Sequence, residues 1–165
     1  MPEGKGHAEL TTLSNLREVL TVATRFERIA RDFYRDLVPK VSKNIRWLVE
    51  DLAVEEQRHY DLFSGLAGRA DVEAVLHVEV ERPVDEHRIF DGVHLPDLGE
   101  KPDDQAVLQY ALAREHAAMT QYTALAQSTP PGPLQDVFRF LANEETKHKN
   151  ELEEVYDRLV HGEDV

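Results

Sequence analysis

The chain carries one pattern of metal-ligating side chains twice. Two Glu-x-x-His motifs, Glu56 to His59 and Glu145 to His148, stand 89 residues apart, and a lone glutamate precedes each, Glu27 and Glu115. The residues around them repeat as well: Ala23, Ala30, Tyr34 and Leu37 recur 88 residues later as Ala111, Ala118, Tyr122 and Leu125. The sequence therefore predicts a duplicated two-helix unit, each copy of which contributes three side chains that can bind metal.

Prolines, glycines and capping residues divide the chain into four long helical segments. The predicted helices run from about Thr12 to Val38, from about Ser42 to Gly65, from Pro102-Asp103 to about Ser128, and from about Leu134 to Val160. Asp103 is the predicted N-cap of the third, and the run from Pro130 to Pro133 forces a break before the fourth. Gly65 and Gly68 are the stop signals of the second.

Apolar residues recur within these segments at steps of three and four, which places them on one face of each helix. The four faces read Leu13, Leu16, Leu20, Ala23, Glu27, Ala30, Tyr34 and Leu37; Val49, Leu52, Glu56, His59, Phe63 and Leu66; Leu108, Leu112, Glu115, Met119, Tyr122 and Ala126; Phe138, Leu141, Glu145, His148, Leu152, Val155 and Leu159. All six candidate ligands stand where the pattern calls for an apolar residue. We therefore predict an all-α four-helix bundle whose core contains them.

A long connection, residues 69–101, separates the two helix pairs. It contains Val72, Val75, Leu76, Val78 and Val80, followed by prolines and acidic residues. Short links make each helix pair an antiparallel hairpin, whereas a link of this length crosses the whole bundle or reaches a second subunit. The valine-rich part fits either a short strand or a helical turn. We predict a flexible N-terminus, residues 1–11, and one domain over 12–165.

Four buried glutamates would repel one another, and each is costly to desolvate unless it is protonated or paired. Two divalent cations bring a charge of +4 against them, and one imidazole per metal adds a nitrogen ligand. Oxygen-rich ligands with one imidazole suit iron or manganese, and zinc would also bind. The predicted metal ligands are Glu27, Glu56, His59, Glu115, Glu145 and His148. Glu27, Glu56 and His59 are expected to serve one metal, and the other three the second.

Other polar residues near the ligands receive less specific predictions. Core packing is favoured for Tyr34 and Tyr122, with a hydrogen bond to a ligand as the alternative. Glu55 and Glu144 are expected on the surface or on the path of incoming cations. His77, His87 and His94, in the connection, are expected to be solvated, and His116 lies about 100° around the helix from Glu115 and is not expected to be a ligand.

Composition excludes several classes of protein. A net charge of −13 disfavours nucleic-acid and anionic-membrane partners, which need a cationic face. The absence of cysteine excludes disulfides, thiolate catalysis and iron–sulfur clusters. No run of about 18 apolar residues occurs, and the first residues lack the order of a signal peptide, so we expect a cytoplasmic protein.

The chain resembles the ferritin-like superfamily and, within it, the rubrerythrin-like di-iron domain. The resemblance covers about residues 12–160 and rests on Glu27-x-x-Ala30-x-x-Phe33-Tyr34, Glu55-Glu56-x-x-His59, Glu115-x-x-Ala118-x-x-x-Tyr122 and Glu144-Glu145-x-x-His148. It implies two iron ions in a four-helix bundle with a left-handed crossover, bridged by Glu56 and Glu145. It also implies that Glu27 and Glu115 are terminal ligands, able to shift as iron changes valence.

The chain departs from rubrerythrins proper in two ways. Ala118 replaces a further glutamate of that family, and without cysteine no rubredoxin-like iron can deliver electrons. Electrons would come from a separate donor protein or from Fe²⁺. The first functional hypothesis is therefore an oxidoreductase that reduces H₂O₂ or O₂, and the second a ferroxidase or iron-storage protein. A substrate hydroxylase fits less well, because quinone enzymes need an apolar membrane-binding face and tRNA enzymes a basic surface. A homodimer is expected.

Overall fold

The structure, a computed structural model, describes residues 11–83 and 96–162. Four long helices dominate it: α1 (Leu16–Leu37), α2 (Lys43–Leu66), α4 (Asp104–Ser128) and α5 (Pro133–His161). The shorter elements are β1 (Thr11–Asn15), α3 (Ala70–Glu73) and β2 (Glu79–Pro83). Helix α1 packs against α2, and α4 packs against α5. The predicted all-α fold is confirmed, whereas the N-terminal segment expected to be flexible lies outside the described residues except for Thr11.

The first helix begins later than predicted, at Leu16 instead of Thr12. The side chain of Asn15 caps it by accepting a hydrogen bond from the amide of Glu18 at 2.8 Å. The preceding residues pair antiparallel with β2, so that Leu13 lies opposite Glu81. Leu13 is consequently 63% exposed, and its place on the predicted core face was wrong.

The valine-rich part of the connection forms both of the structures considered, the helix α3 and the strand β2. Between them, the carbonyls of Val78 and Leu76 accept hydrogen bonds from the amides of Leu16 and Arg17, at 2.9 and 3.0 Å. The connection thus satisfies backbone donors that the first turn of α1 leaves free. Val80, a buried residue of β2, packs in the same apolar cluster as Leu16 of α1.

The other helix limits lie close to the predicted ones. Asp103 stands at the N-cap of α4, although its side chain makes no capping hydrogen bond. Gly132, with φ 153°, precedes Pro133 and allows the chain to turn into α5. Helix α2 ends at Leu66, one residue beyond Gly65. Near the end of α5, Leu159 is 41% exposed, so it too lies off the predicted core face.

The buried apolar residues form two clusters, one towards each end of the bundle. One cluster contains Phe63, Tyr122 and Phe138, and the other contains Tyr34 and Leu152. Along each of the four long helices, the predicted metal ligands fall between the residues of the two clusters. The polar centre therefore divides the core. No helix within the described ranges is both long and apolar enough to cross a membrane.

Candidate metal centre

The structure buries the predicted ligands as the apolar pattern requires. Four glutamates are fully inaccessible and His59 is 2% exposed, whereas the side chain of His148 is 15% exposed. The four are Glu27, Glu56, Glu115 and Glu145. Such a concentration of carboxyl groups in a core requires compensating positive charge.

One group of three ligand atoms forms around Nδ1 of His59. This nitrogen lies 3.3 Å from Oε1 of Glu145 and 3.6 Å from Oε2 of Glu27. Each of the three atoms is buried and has no hydrogen-bond partner in the described structure. Glu27, His59 and Glu145 offer ligand atoms within 4.8 Å of one another, which is close enough to hold one cation.

A second group forms around Nδ1 of His148. This nitrogen lies 3.8 Å from Oε2 of Glu115 and 4.0 Å from Oε2 of Glu145. These three atoms also lack hydrogen-bond partners among the residues described. Glu145 therefore contributes one oxygen to each group. The rings of His59 and His148 are nearly parallel, with an interplanar angle of 22° and centroids 6.2 Å apart.

These six unbonded atoms are the strongest sign of a ligand. A buried polar atom without a partner costs about 1–3 kcal/mol, and native proteins contain few of them. Here they converge in two groups of three, each with two carboxylate oxygens and one imidazole nitrogen. A divalent cation in each group would satisfy three atoms at once, and this donor set suits iron or manganese.

A buried arginine that the sequence reasoning missed lies beside the two groups. Arg114 is 1% exposed, and its Nη1 and Nη2 donate to Oε1 and Oε2 of Glu56 at 2.8 and 3.0 Å. Nη1 also donates to Oε1 of Glu115 at 3.4 Å. Nη2 lies 3.6 Å from Oε2 of Glu27. The guanidinium thus supplies part of the compensating charge.

A comparison of the two repeats could have predicted that Arg114 is buried. The residue 88 positions earlier is Phe26, which is buried in the first hairpin. An arginine at a position that is apolar in the other copy indicates a buried charge. Considered alone, Arg114 stands about 100° around the helix from Glu115 and resembles any surface arginine.

The grouping of the ligands departs from the predicted one. The expected first metal site contained Glu27, Glu56 and His59, but both oxygens of Glu56 are hydrogen-bonded to Arg114. Glu145 takes its place beside Glu27 and His59. The other predicted group, Glu115, Glu145 and His148, is brought together as expected.

Tyr122 takes part in the centre, contrary to the favoured prediction of simple core packing. Its hydroxyl donates a hydrogen bond to Oε1 of Glu27 at 2.5 Å. Glu27 thereby has one anchored oxygen and one free oxygen. The equivalent residue Tyr34 is equally buried, but its hydroxyl has no hydrogen-bond partner in the part of the chain that is described.

The crowded charges shift the pKa values of the centre in opposite directions. Burial and the charges of Glu27 and Glu115 act to raise the pKa of Glu56, whereas the guanidinium of Arg114, hydrogen-bonded to both of its oxygens, acts to lower it. Burial alone would also raise the pKa of Glu27, but the neighbouring Glu56 and His59 hold that pKa well below its usual range. Buried carboxyl groups this close cannot easily ionise together, which separates their pKa values.

Burial alone would lower the pKa of both histidines. The carboxylate of Glu27 instead raises the pKa of His59 above its ordinary value of 6.5. Similarly, the carboxylate of Glu115 raises the pKa of His148. The metal-free centre therefore attracts protons as well as metal cations.

A third, more accessible group lies at the edge of the centre. Glu55 and Glu144 are half-buried and, with His148, offer ligand atoms within 4.8 Å of one another. Glu55, His148 and neighbouring residues line a cavity of about 240 Å³. His77 is exposed, as expected, and His116 is exposed as well, whereas His87 and His94 lie outside the described residues.

Comparison with protein families gives a match to Rubrerythrin over residues 106–165. The matched segment contains Arg114, Glu115, Glu145 and His148, and thus the whole ligand contribution of the second hairpin. Searches of curated proteins and of solved structures gave no match. Rubrerythrin domains imply iron binding in general, and the buried carboxylate and histidine groups fit that property. The match and the helical bundle confirm the predicted resemblance to the ferritin-like superfamily and, within it, to the rubrerythrin-like domain.

Proposed function

We propose that the chain is a non-haem di-iron carboxylate oxidoreductase that reduces H₂O₂ or O₂ with electrons from a separate donor. The supporting observation is the pair of three-atom groups that share Glu145. Each group contains two oxygens and one nitrogen that are buried, have no hydrogen-bond partner in the described structure and could therefore bind a cation. One iron ion would be held by Glu27, His59 and Glu145, and the second by Glu115, His148 and Glu145.

The bound metal would supply the redox chemistry: two Fe²⁺ provide two electrons, which with two protons convert one H₂O₂ to two H₂O. The protein must hold both ions in one place and exclude bulk water. The two buried apolar clusters, which lie on either side of the ligands, exclude bulk water. The shared carboxylate of Glu145 would hold both ions in one place, since its two oxygens belong to different groups.

Glu27 and Glu115 are suited to move while they stay attached. In each, one oxygen is hydrogen-bonded to the protein, Glu27 to Tyr122 and Glu115 to Arg114. The other oxygen of each is unbonded and belongs to one of the two groups. This arrangement supports the prediction that these two ligands shift with the valence of iron.

Small oxidants would reach the centre on the side of His148. This histidine is the most exposed of the predicted ligands, and the cavity of about 240 Å³ beside it is lined partly by Asp51, Glu55 and Glu151. H₂O₂ and O₂ are much smaller than this volume. The cavity is smaller than the roughly 300–1,000 Å³ of typical pockets for organic ligands, which favours a small oxidant over a hydroxylation substrate.

Anaerobic mixing of Fe²⁺-loaded protein with H₂O₂ tests the proposal. We expect rapid growth of ferric absorbance and consumption of one H₂O₂ for every two Fe²⁺. Glu115→Ala should slow the reaction, and Glu154→Gln, a change at an exposed position of α5, serves as the matched control. Absence of fast oxidation, or equal rates in Glu115→Ala and the wild type, would exclude this function.

A ferroxidase that passes on or stores Fe³⁺ is the second candidate. The acidic cavity beside His148 favours it, because Asp51, Glu55 and Glu151 could guide cations inwards. Excess Fe²⁺ under air separates the two functions. A ferroxidase continues to oxidise many iron ions per chain, whereas an oxidoreductase stops at two until a reductant is added.

The proposed assembly is a homodimer in the cytoplasm. Large apolar side chains on the outside of the bundle support association, among them Trp47 at 45% exposure, Val54 at 50% and Phe140 at 51%. Sedimentation velocity would test the dimer. A large shell instead of a dimer would favour iron storage.

A further inference from the structure

We propose that Arg114 keeps Glu56 out of the ligand set, so that Glu145 is the only carboxylate that bridges the two metal ions. This inference rests on the proposed function, because it concerns how the same centre holds its metals. It differs from the pattern implied by the family resemblance, in which both glutamates of the Glu-x-x-His motifs bridge.

Glu56 and Glu145 differ in whether their carboxylate oxygens accept hydrogen bonds from the protein. The guanidinium of Arg114 donates to both oxygens of Glu56 in the two-pronged geometry that is strongest between arginine and a carboxylate. Both oxygens of Glu145 are buried and unbonded among the described residues. One carboxyl group is thus fully occupied by the protein, while the other is fully available to cations.

The internal repeat shows why only one glutamate is occupied. Glu56 and Glu145 hold equivalent positions, and so do Phe26 and Arg114. For Glu145, the residue equivalent to Arg114 is Phe26, whose side chain cannot donate a hydrogen bond. The guanidinium packs on this same ring, with Cζ 4.3 Å from its centroid. The difference between Phe26 and Arg114 therefore leaves Glu145 available where Glu56 is occupied.

Recruitment of Glu56 by a metal would break the pair at a high cost. The guanidinium would lose its two shortest hydrogen bonds while remaining buried next to two additional cations. An unpaired buried charge is strongly destabilising, and like charges raise that cost. Five side chains, namely Glu27, His59, Glu115, Glu145 and His148, remain as ligands.

The test replaces the whole ion pair by apolar side chains in the double variant Glu56→Leu/Arg114→Met. Removal of both partners avoids an unpaired buried charge, so the variant is expected to fold. Calorimetric titration with Co²⁺ should show two ions per chain, each bound within about threefold of the wild-type affinity. The visible bands of bound Co²⁺, which report its coordination, should keep their wild-type intensity.

The control is Glu145→Leu, the same change at the equivalent position of the other repeat. Neither oxygen of Glu145 accepts a hydrogen bond from an arginine, so this change leaves no guanidinium without its partner. We expect Glu145→Leu to lose at least one of the two ions and to bind the rest at least 100-fold more weakly. Glu56→Gln is a second, milder test, since its amide oxygen still accepts one of the two hydrogen bonds from Arg114. A variant that folds by circular dichroism should also retain both ions.

The outcomes distinguish this inference from the proposed function. Wild-type protein that binds two Co²⁺, with a double variant that binds one or none, would overturn the exclusive bridging role of Glu145 and leave the di-metal function standing. A loss in Glu56→Gln as large as that in Glu145→Leu would do the same. Wild-type protein that does not bind two ions would overturn both proposals.

Discussion

The guanidinium of Arg114 lies over the ring of Phe26, and these two residues occupy equivalent positions in the two halves of a duplicated bundle. The contact joins the halves near the candidate metal centre, since Phe26 precedes Glu27 and Arg114 precedes Glu115. The repeat keeps the ligand types and the two tyrosines, Tyr34 and Tyr122, but places Arg114 where the first half has Phe26. The asymmetry of the centre therefore arises from the residues next to the ligands and not from the ligands themselves.

Tyr34 and Tyr122 provide a matched test of this asymmetry. Tyr122→Phe removes the hydrogen bond to Glu27 and leaves a buried carboxylate oxygen unbonded, so unfolding should become easier by about 1–3 kcal/mol. Tyr34→Phe removes a hydroxyl that has no hydrogen-bond partner in the described structure, so stability should change by less than about 0.5 kcal/mol. Urea denaturation of the metal-free proteins measures both, and equal losses would contradict the assignment.

Leu13 and Leu16 test where the first helix begins. Leu16 is fully buried at the start of α1, so Leu16→Ala should destabilise the protein by about 2–5 kcal/mol. Leu13 lies in β1 and is 63% exposed, so Leu13→Ala should cost less than about 0.5 kcal/mol. Similar losses in chemical denaturation would show instead that Leu13 packs in the core, as the helical pattern had predicted.

The sequence revealed the bundle because its helices keep a regular apolar face, with Glu27 and Glu145 standing at positions on that face. Strand β1 escaped prediction because Leu13 is three residues before Leu16, which also fits a helix. Its partner strand, Glu79–Pro83, is distant in sequence, and no local pattern announces such pairing. Tertiary pairing of this kind overrides local preference.

The role of Glu56 escaped prediction for a related reason. Its spacing from His59 is the same as that of Glu145 from His148, so the motifs alone give the two glutamates equal roles. Only the packing of α4 against the first hairpin brings Arg114 to Glu56. A charged residue one position before a predicted ligand resembles a solvent-exposed side chain until its counterpart, Phe26, is considered.

Metal binding should weaken as the pH falls. The pKa values of His59 and His148 are raised in the metal-free centre, so their imidazoles remain protonated to a higher pH than free histidine. A metal binds only the neutral ring, and its binding must release these protons. The apparent affinity for Mn²⁺ should therefore rise with pH through the raised pKa values, by up to about tenfold per pH unit for each proton released.

Calorimetry from pH 6 to 8, in buffers with different ionisation enthalpies, measures both the affinity and the proton release. His116→Asn is the control, because His116 is exposed and should not change the profile. An affinity that is constant over this range, or no proton release, would contradict a centre that contains both histidines.

Metal should stabilise the wild-type fold more than the fold of a variant that lacks the shared ligand. At a free Mn²⁺ concentration 100 times the dissociation constant, each site adds about 2.7 kcal/mol. A chain of this size gains about 2–4 °C in melting temperature per kcal/mol, so two sites should raise it by about 10–20 °C. Glu145→Gln should show less than half of this rise, since its neutral amide keeps an oxygen for only one of the two groups and places an NH₂ in the other.

The order of stability should reverse when the metal is removed. In EDTA, at a pH above the raised pKa values of His59 and His148, both imidazoles are neutral and wild-type protein retains the buried carboxylate of Glu145 without a compensating charge. Glu145→Gln replaces it with a neutral amide that costs less to bury. The variant should then melt at a higher temperature than the wild type, because the carboxylate favours binding at the expense of metal-free stability. Differential scanning calorimetry with and without Mn²⁺ measures the four melting temperatures. A variant that melts below the wild type in EDTA, or gains as much from Mn²⁺, would show that the carboxylate of Glu145 is satisfied by the protein and does not bind metal.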